Sequence, residues 1–225
     1  MSLRPSVIAF DVIETVFSLE TLRGRFEVVG LPGAALETWF AQTLRDAFAL
    51  DATGAFVSFR DVATANLASM LLTGDEADSR IENVLAGFAE LEPHPDAEEA
   101  FRMFRDSGCR VITLTNGAAE VTRRLLDRAG LTPMVERMIT TAEVGHWKPR
   151  REVYLHAASI MDVEPQKLAL VAAHPWDTHG AKRAGLITGF VARGKPYPSV
   201  MAPPDAVGET LTEVASRLIG APSAG

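Results

Sequence analysis

The sequence predicts an open, doubly wound parallel α/β sheet with a helical insert after its first strand, and three observations predict it. Four apolar runs of strand length each end in polar residues, helical periodicity fills the gaps between them after residue 92, and residues 18–91 carry helical periodicity alone. Strands that alternate with helices form parallel sheets covered on both faces, and such strands read as near-continuous apolar runs.

The strand candidates are residues 7–10 before Asp11, 111–114 before Thr115, 138–140 before Glu143 and 168–173 before His174. Between them lie helical patterns at 97–106, 119–128 and 152–161. The second stops at Ala129-Gly130, with the glycine placed to take the left-handed conformation that closes many helices. A last strand is expected at 187–192 and a closing helix at 208–218. In the insert, Leu36, Trp39, Phe40, Leu44 and Phe48 fall on one helical face, followed by Leu67, Met70 and Leu71, then Ile81, Leu85 and Phe88. The turn-rich Glu92-Pro93-His94-Pro95-Asp96 returns the chain to the sheet. The expected division is a core of residues 1–17 and 92–225 and a helical cap of residues 18–91. Ser2-Leu3 reads as a cloning remnant and residues 221–225 as a loose tail.

A chain of 225 residues can bury one sizeable core plus a smaller insert. Its net charge of -7, with Lys and Arg scattered, offers no footprint for nucleic acid and points to a small-molecule substrate. The single cysteine, Cys109, has no internal partner and lies in a strand-like run, which suits a buried thiol in a reducing cytoplasm. The N-terminus passes straight into a strand, with no signal segment and no spanning run. His94, His146, His156 and His179 lack the paired spacing of a zinc site, so no metal and no cofactor is expected.

Ligands of open α/β sheets bind beyond the carboxyl ends of the strands. Asp11, Thr115-Asn116 and His174 stand at such ends and Lys148 follows the third strand by a loop, so four polar groups should converge on one crevice. These residues carry a resemblance. Phe10-Asp11-Val12-Ile13-Glu14-Thr15 resembles the first motif of the haloacid dehalogenase superfamily, Leu114-Thr115-Asn116-Gly117 the second, and Lys148-Pro149 with Tyr154 the third. Ala172-Ala173-His174-Pro175-Trp176-Asp177 with Gly180-Ala181 is similar to the fourth motif of the type II 2-haloacid dehalogenase group. The match runs over residues 7–193 and leaves only the cap without a motif. It implies a Rossmann-like core, a cap and Asp11 as nucleophile.

Phosphatases of that superfamily carry a second Asp two residues after the nucleophile, which protonates the leaving alcohol and helps to hold Mg²⁺. Ile13 stands there instead, so general-acid help worth about 10²–10⁴-fold is missing. The acidic pair of the fourth motif is reduced to Asp177, too few oxygens for a Mg²⁺ site. A halide needs no proton to leave, so a carboxylate can displace it from C2 of a 2-haloacid and form an ester that water hydrolyses. The resemblance implies that Lys148 orients Asp11, that Thr15, Thr115 and Asn116 bond to it and to the substrate carboxylate, and that Asp177 completes the catalytic set. It places Ile13, Phe40, Tyr154 and Trp176 around the substrate.

Four positions depart from the best-known dehalogenase pattern. Glu14 replaces a glycine, and Ala172 and His174 replace Ser and Asn. The halide-cradling Arg that follows a cap-helix Trp is absent, because Trp39 precedes Phe40. Arg45, one turn on, is a candidate substitute, and an apolar cradle of Phe40, Trp176 and Phe59 is the alternative. A less familiar branch of the group is similar at Glu14 and His174 together, which are expected to hydrogen bond so that the carboxylate orients a basic imidazole. The pair would activate the water that attacks the Asp11 ester. The reading is thus a hydrolytic dehalogenase of short 2-haloalkanoic acids, a homodimer by its relatives' habit. The rivals are a phosphatase and a non-catalytic binder of small carboxylates.

Overall fold

All six strands of the main sheet run parallel, as apolar runs separated by helices require. The computed structural model describes residues 4–71 and 76–220; the readings made above at residues 2–3 and 221–225 lie outside them. In chain order the elements are β1 (Val7–Phe10), β2 (Phe17–Ser18), α1 (Arg23–Val28), α2 (Ala35–Ala52), α3 (Phe59–Met70), α4 (Ala77–Ala86), β3 (Glu92–Pro93), α5 (Ala97–Asp106) and β4 (Arg110–Thr115). Then come α6 (Ala119–Arg128), β5 (Arg137–Thr140), α7 (Arg151–Ile160), β6 (Leu168–Ala172), α8 (Pro175–Ala184), β7 (Ile187–Val191), β8 (Ala206–Gly208) and α9 (Leu211–Ile219). The sheet order is β5-β4-β1-β6-β7-β8. The chain therefore winds outward in both directions from β1, and the crevice opens at the end of that central strand.

Strand side chains alternate between two cores. Ile8, Phe10, Val111, Ala169 and Val171 pack on one face with α5, α6 and α9, whereas Val7, Ala9, Ile112, Leu114, Leu168 and Leu170 pack on the other with α7 and α8. Phe10 stacks on Phe101 at 4.2 Å between centroids and meets Phe104 edge-on at 5.7 Å, which fixes β1 against α5. Burial of a side chain such as Phe10 is worth about 1.5–3 kcal/mol.

Helix ends follow local chemistry. Gly130 has φ 68° and closes α6 with two bonds: the Leu131 N–H donates to the Leu126 carbonyl and the Gly130 N–H to the Asp127 carbonyl. The closing helix begins at Leu211 rather than at residue 208, because Thr210 caps it by accepting the Glu213 N–H at 3.1 Å and residues 206–208 form β8. The helix α8 and the short pair β2–β3 were not expected from the sequence. β2 and β3 pair antiparallel where the chain leaves and rejoins the sheet, and α1 to α4 lie between them.

Within that insert Trp39 is fully buried, donates Nε1–H to the Ala63 carbonyl at 3.0 Å, and sits between Phe26 and Phe88. The buried stripe of α2 is Leu36, Trp39, Thr43 and Ala47, while Phe40, Leu44 and Phe48 flank it toward the crevice. Cys109 is buried and free just ahead of β4. Among the described residues no helix is long and apolar enough to cross a membrane.

Candidate active site

The β1 ladder continues one residue past its strand, since the Asp11 N–H donates to the Val171 carbonyl at 3.0 Å. Asp11 therefore stands at the sheet's carboxyl edge, between Thr115 at the end of β4 and the turn after β6. One carboxylate oxygen accepts from Lys148 Nζ at 2.7 Å and the other from Thr15 Oγ1 at 2.7 Å. Thr15 is directed there because its oxygen already accepts the Ala173 N–H at 2.9 Å, leaving its proton for Asp11. Lys148 is fully buried and spends all three protons: on Asp11, on Asp177 Oδ2 at 2.6 Å and on the Leu114 carbonyl at 2.9 Å. The Tyr154 hydroxyl donates to the other Asp177 oxygen at 2.6 Å. Small residues on α8 permit this closeness: a Cβ on Gly180 would lie 2.5 Å from Pro149 Cβ and 2.8 Å from the Tyr154 hydroxyl.

Charge balance follows from burial. Desolvation pushes the Asp11 carboxyl up, but the positive charge of Lys148, that of His174 and the hydrogen bonds from Lys148 and Thr15 outweigh it and hold it below its ordinary value. Lys148 is opposed by its own burial, yet Asp11 and Asp177 keep it above the usual lysine value. Asp177 is raised by burial and by the nearby Asp11 charge, against the pull of Lys148. Asp11 is thus an ionised carboxylate held in one orientation, sharing one ammonium with Asp177.

His174 lies across the mouth. Its Nε2 is 3.2 Å from the Ile13 carbonyl oxygen and 3.7 Å from Asp11 Oδ2, so a proton on Nε2 faces two acceptors. The ring is stacked on Trp176 at 5.1 Å and 18°, with Phe40 at 6.0 Å on its flank and Phe48 against the Trp176 edge at 5.2 Å. Ile13, Phe40, Phe59, Thr115, Asn116 and Trp176 line the small space above Asp11. Asn116 accepts the Lys148 N–H at 3.1 Å on Oδ1, which leaves its amide protons as donors there. Thr115 Oγ1 accepts the Gly117 N–H at 2.9 Å.

Three expectations fail, the first being Tyr154 around the substrate: it is fully buried and bonds Asp177 instead of lining the space above Asp11. Glu14 does not hydrogen bond His174. Its backbone is left-handed, φ 66°, so the side chain leaves the crevice; Oε1 accepts the Leu19 N–H at 2.8 Å and Oε2 lies 3.9 Å from Lys195 Nζ. That conformation costs a non-glycine residue about 1–2 kcal/mol, which accounts physically for glycine at this place in the better-known pattern. Arg45 is no substitute for the missing cradle Arg, because it faces solvent and pairs with Asp46 at 2.7 Å. The sequence also missed a tie between insert and core. Buried Asp51, near the end of α2, lies 2.9 Å from His146 Nδ1 and accepts the Trp147 N–H at 3.4 Å, and Trp147 Nε1 donates to the Val57 carbonyl at 2.8 Å. These are the two residues before Lys148.

The site is thus an aspartate clamped by a buried lysine at the switch point of a parallel sheet, under a helical insert. Residues 6–185 match the family model described as haloacid dehalogenase-like hydrolase, and the chain belongs to that family. It is 25% identical over 215 residues to "(S)-2-haloacid dehalogenase 1" of Pseudomonas sp. (strain CBS-3), covering 93% of this chain and 95% of that one. It is 30% identical over 109 residues to a glyceraldehyde 3-phosphate phosphatase of Methanopyrus kandleri, a match covering 48% and 47% of the two chains. The solved structure of the L-2-haloacid dehalogenase of Xanthobacter autotrophicus shares the fold, with a TM-score of 0.85 and 19% identity over 97% of this chain and 100% of that one.

Proposed function

We propose that this protein is a hydrolytic dehalogenase of 2-haloalkanoic acids. The observation that carries the reading is the Asp11 carboxylate, presented by Lys148 and Thr15 to an apolar space in which Ile13 stands two residues on from the nucleophile. An Asp11 oxygen attacks C2, the carbon–halogen bond breaks, and the halide leaves with the bonding pair into the apolar surround of Phe40, Phe59 and Trp176. Asn116 and Thr115 hold the substrate carboxylate. Water then adds to the ester carbonyl, the 2-hydroxyacid departs with the oxygen that came from Asp11, and one proton is released. The likeness to a (S)-2-haloacid dehalogenase over nearly the whole chain supports this chemistry, and the single displacement at C2 inverts that carbon.

In this reading residues 18–91 act as a cap over a core of residues 1–17 and 92–225. The protein is read as cytoplasmic from its single cysteine, as working without a cofactor from the lack of ligand spacing, and as a homodimer by its relatives' habit. The residues present do not suit Mg²⁺, because both carboxylates that could hold it are engaged by Lys148 Nζ. The test sets halide release from 2-chloropropionate beside phosphate release from an aryl phosphate, each with excess EDTA. Halide release unaffected by EDTA is expected; phosphate release restored by Mg²⁺ would turn the assignment toward a phosphatase.

His174 serves the second step. Nε2 lies 3.7 Å from Asp11 Oδ2, so in the tautomer that carries its proton on Nδ1 the bare Nε2 can take a proton from the water that attacks the Asp11 ester and release it to solvent as the ester opens. His174→Ala should leave alkylation largely intact and slow ester hydrolysis by about 10²–10⁴-fold. Mass spectrometry after brief exposure to substrate should find the ester on Asp11, with roughly one halide released per site. Glu14→Gln should accumulate no ester, since Glu14 bonds to Leu19. A His174→Ala protein that turns over normally would return water activation to Asp177.

A further inference from the structure

Two spaces that share part of their lining lie at the site. The inner one, which touches the nucleophile, encloses about 20 Å³. One water needs roughly 10–15 Å³ on the same measure, so this space takes only the reacting end of a substrate. The outer one shares Ile13, Phe59 and the Thr115-Asn116-Gly117 turn with it, and encloses about 290 Å³. Its wall continues over Phe56, Leu85, Phe88 and Val121. The charged side chain on this wall, Arg60, is ion-paired with Glu82 on α4, so the space presents hydrocarbon to whatever enters it. A cavity of roughly 150 Å³ lined by Leu, Ile and Phe is enough for benzene.

In-line displacement sets C2 against Asp11 with the halogen on its far side, so the inner space has room for that reacting C2–halogen end alone, and Thr115 and Asn116 stand at the junction to hold the carboxylate. The third large group on C2 has the outer space before it. We propose that the outer space is the pocket for the C2 substituent, and that the preferred substrates are 2-haloacids bearing medium-length alkyl or arylalkyl chains, about six to eight carbons in all by comparison with the benzene-sized cavity. This rests on the dehalogenase reading above and replaces the short substrates that the sequence suggested.

The experiment measures kcat/KM for halide release from (S)-2-bromopropionate, (S)-2-bromohexanoate and (S)-2-bromooctanoate. Each methylene buried in an apolar pocket should raise the value about fourfold until the space is full. Octanoate without halogen should also inhibit the unaltered protein far more strongly than propionate, a readout that needs neither turnover nor a variant. Val121→Trp, which fills the outer space, should lower the bromooctanoate-to-bromopropionate ratio of kcat/KM at least tenfold. A flat or falling chain-length series in a protein that releases halide from bromopropionate overturns the pocket assignment and leaves the dehalogenase reading standing. Absence of halide from all three substrates overturns both.

Discussion

Lys148→Met is expected to cost about 3–5 kcal/mol of stability and nearly all turnover, because it removes the ammonium that Asp11 and Asp177 share at full burial. A buried ion pair adds little net stability over apolar packing, but deleting one partner leaves the other charge desolvated and unpaired. Here two carboxylates would face each other. For a chain of this size the loss corresponds to a fall of roughly 10 °C or more in Tm. The sign with pH is fixed by the same groups. In the unaltered protein the Asp11 carboxyl is lowered, so its contribution is present above its unfolded value and fades as pH falls through the folded one. In Lys148→Met the two carboxyls are pushed up instead, so the variant loses stability as pH rises and its deficit is larger near pH 8 than near pH 5. Turnover should fall at least 10²–10³-fold, since the nucleophile loses both its orientation and its charge partner. Thermal melts at the two pH values, read beside halide release, check both halves. A variant with unchanged Tm and activity would remove Lys148 from the centre of the site.

The sheet was legible because its strands are buried on both faces, so that each registers as a run. Val7–Phe10 is read from sequence to the residue, and the other long strands to within one. The helix α8 was not legible because it packs through Gly180, Ala181 and Ala184 rather than through large apolar residues, leaving no stripe for a periodicity test. β8 was missed for a related reason: it is three residues long and Val207 is exposed. The start of α9 did carry a signal, Thr210 three residues before Glu213.

In the site, the convergence of Asp11, Thr115, Asn116, His174 and Lys148 could be read because strand ends of a parallel sheet must share one edge. What could not be read was direction. Glu14 and His174 stand near one another along the edge, but a single left-handed residue turns the carboxylate away, and sequence carries no φ angle. The Asp51–His146 contact joins residues 95 apart through packing of the insert, which no local pattern encodes. The outer pocket draws on α3, α4 and α6 together, so its volume exists only in the assembled fold.

Asp11→Asn should abolish turnover while leaving the fold in place. The amide is close to isosteric, and Lys148 keeps Asp177 and the Leu114 carbonyl, so the cluster becomes a neutral pair and Tm should move by only a few degrees. An amide oxygen is a poor nucleophile with no charge to give, so the loss should reach roughly 10⁴–10⁶-fold. Loss of activity alone does not show that Asp11 forms a bond, because an aspartate acting as base toward water would be just as essential. Oxygen labelling separates the two. In a single turnover of the unaltered protein in ¹⁸O-water, the attacking water enters at the ester carbonyl, so label should appear in Asp11 while the product hydroxyl carries the oxygen that Asp11 surrendered. A base mechanism puts the label directly into the hydroxyacid and leaves Asp11 unlabelled. The halide burst adds a check from charge: with Asp11 held below its ordinary carboxyl value, the burst should persist undiminished at about pH 5, where an unperturbed carboxyl would also be largely ionised, and should weaken only as the medium becomes more acid than an unperturbed aspartate tolerates. A burst lost well above that range would mean that the titrating group is not this carboxylate.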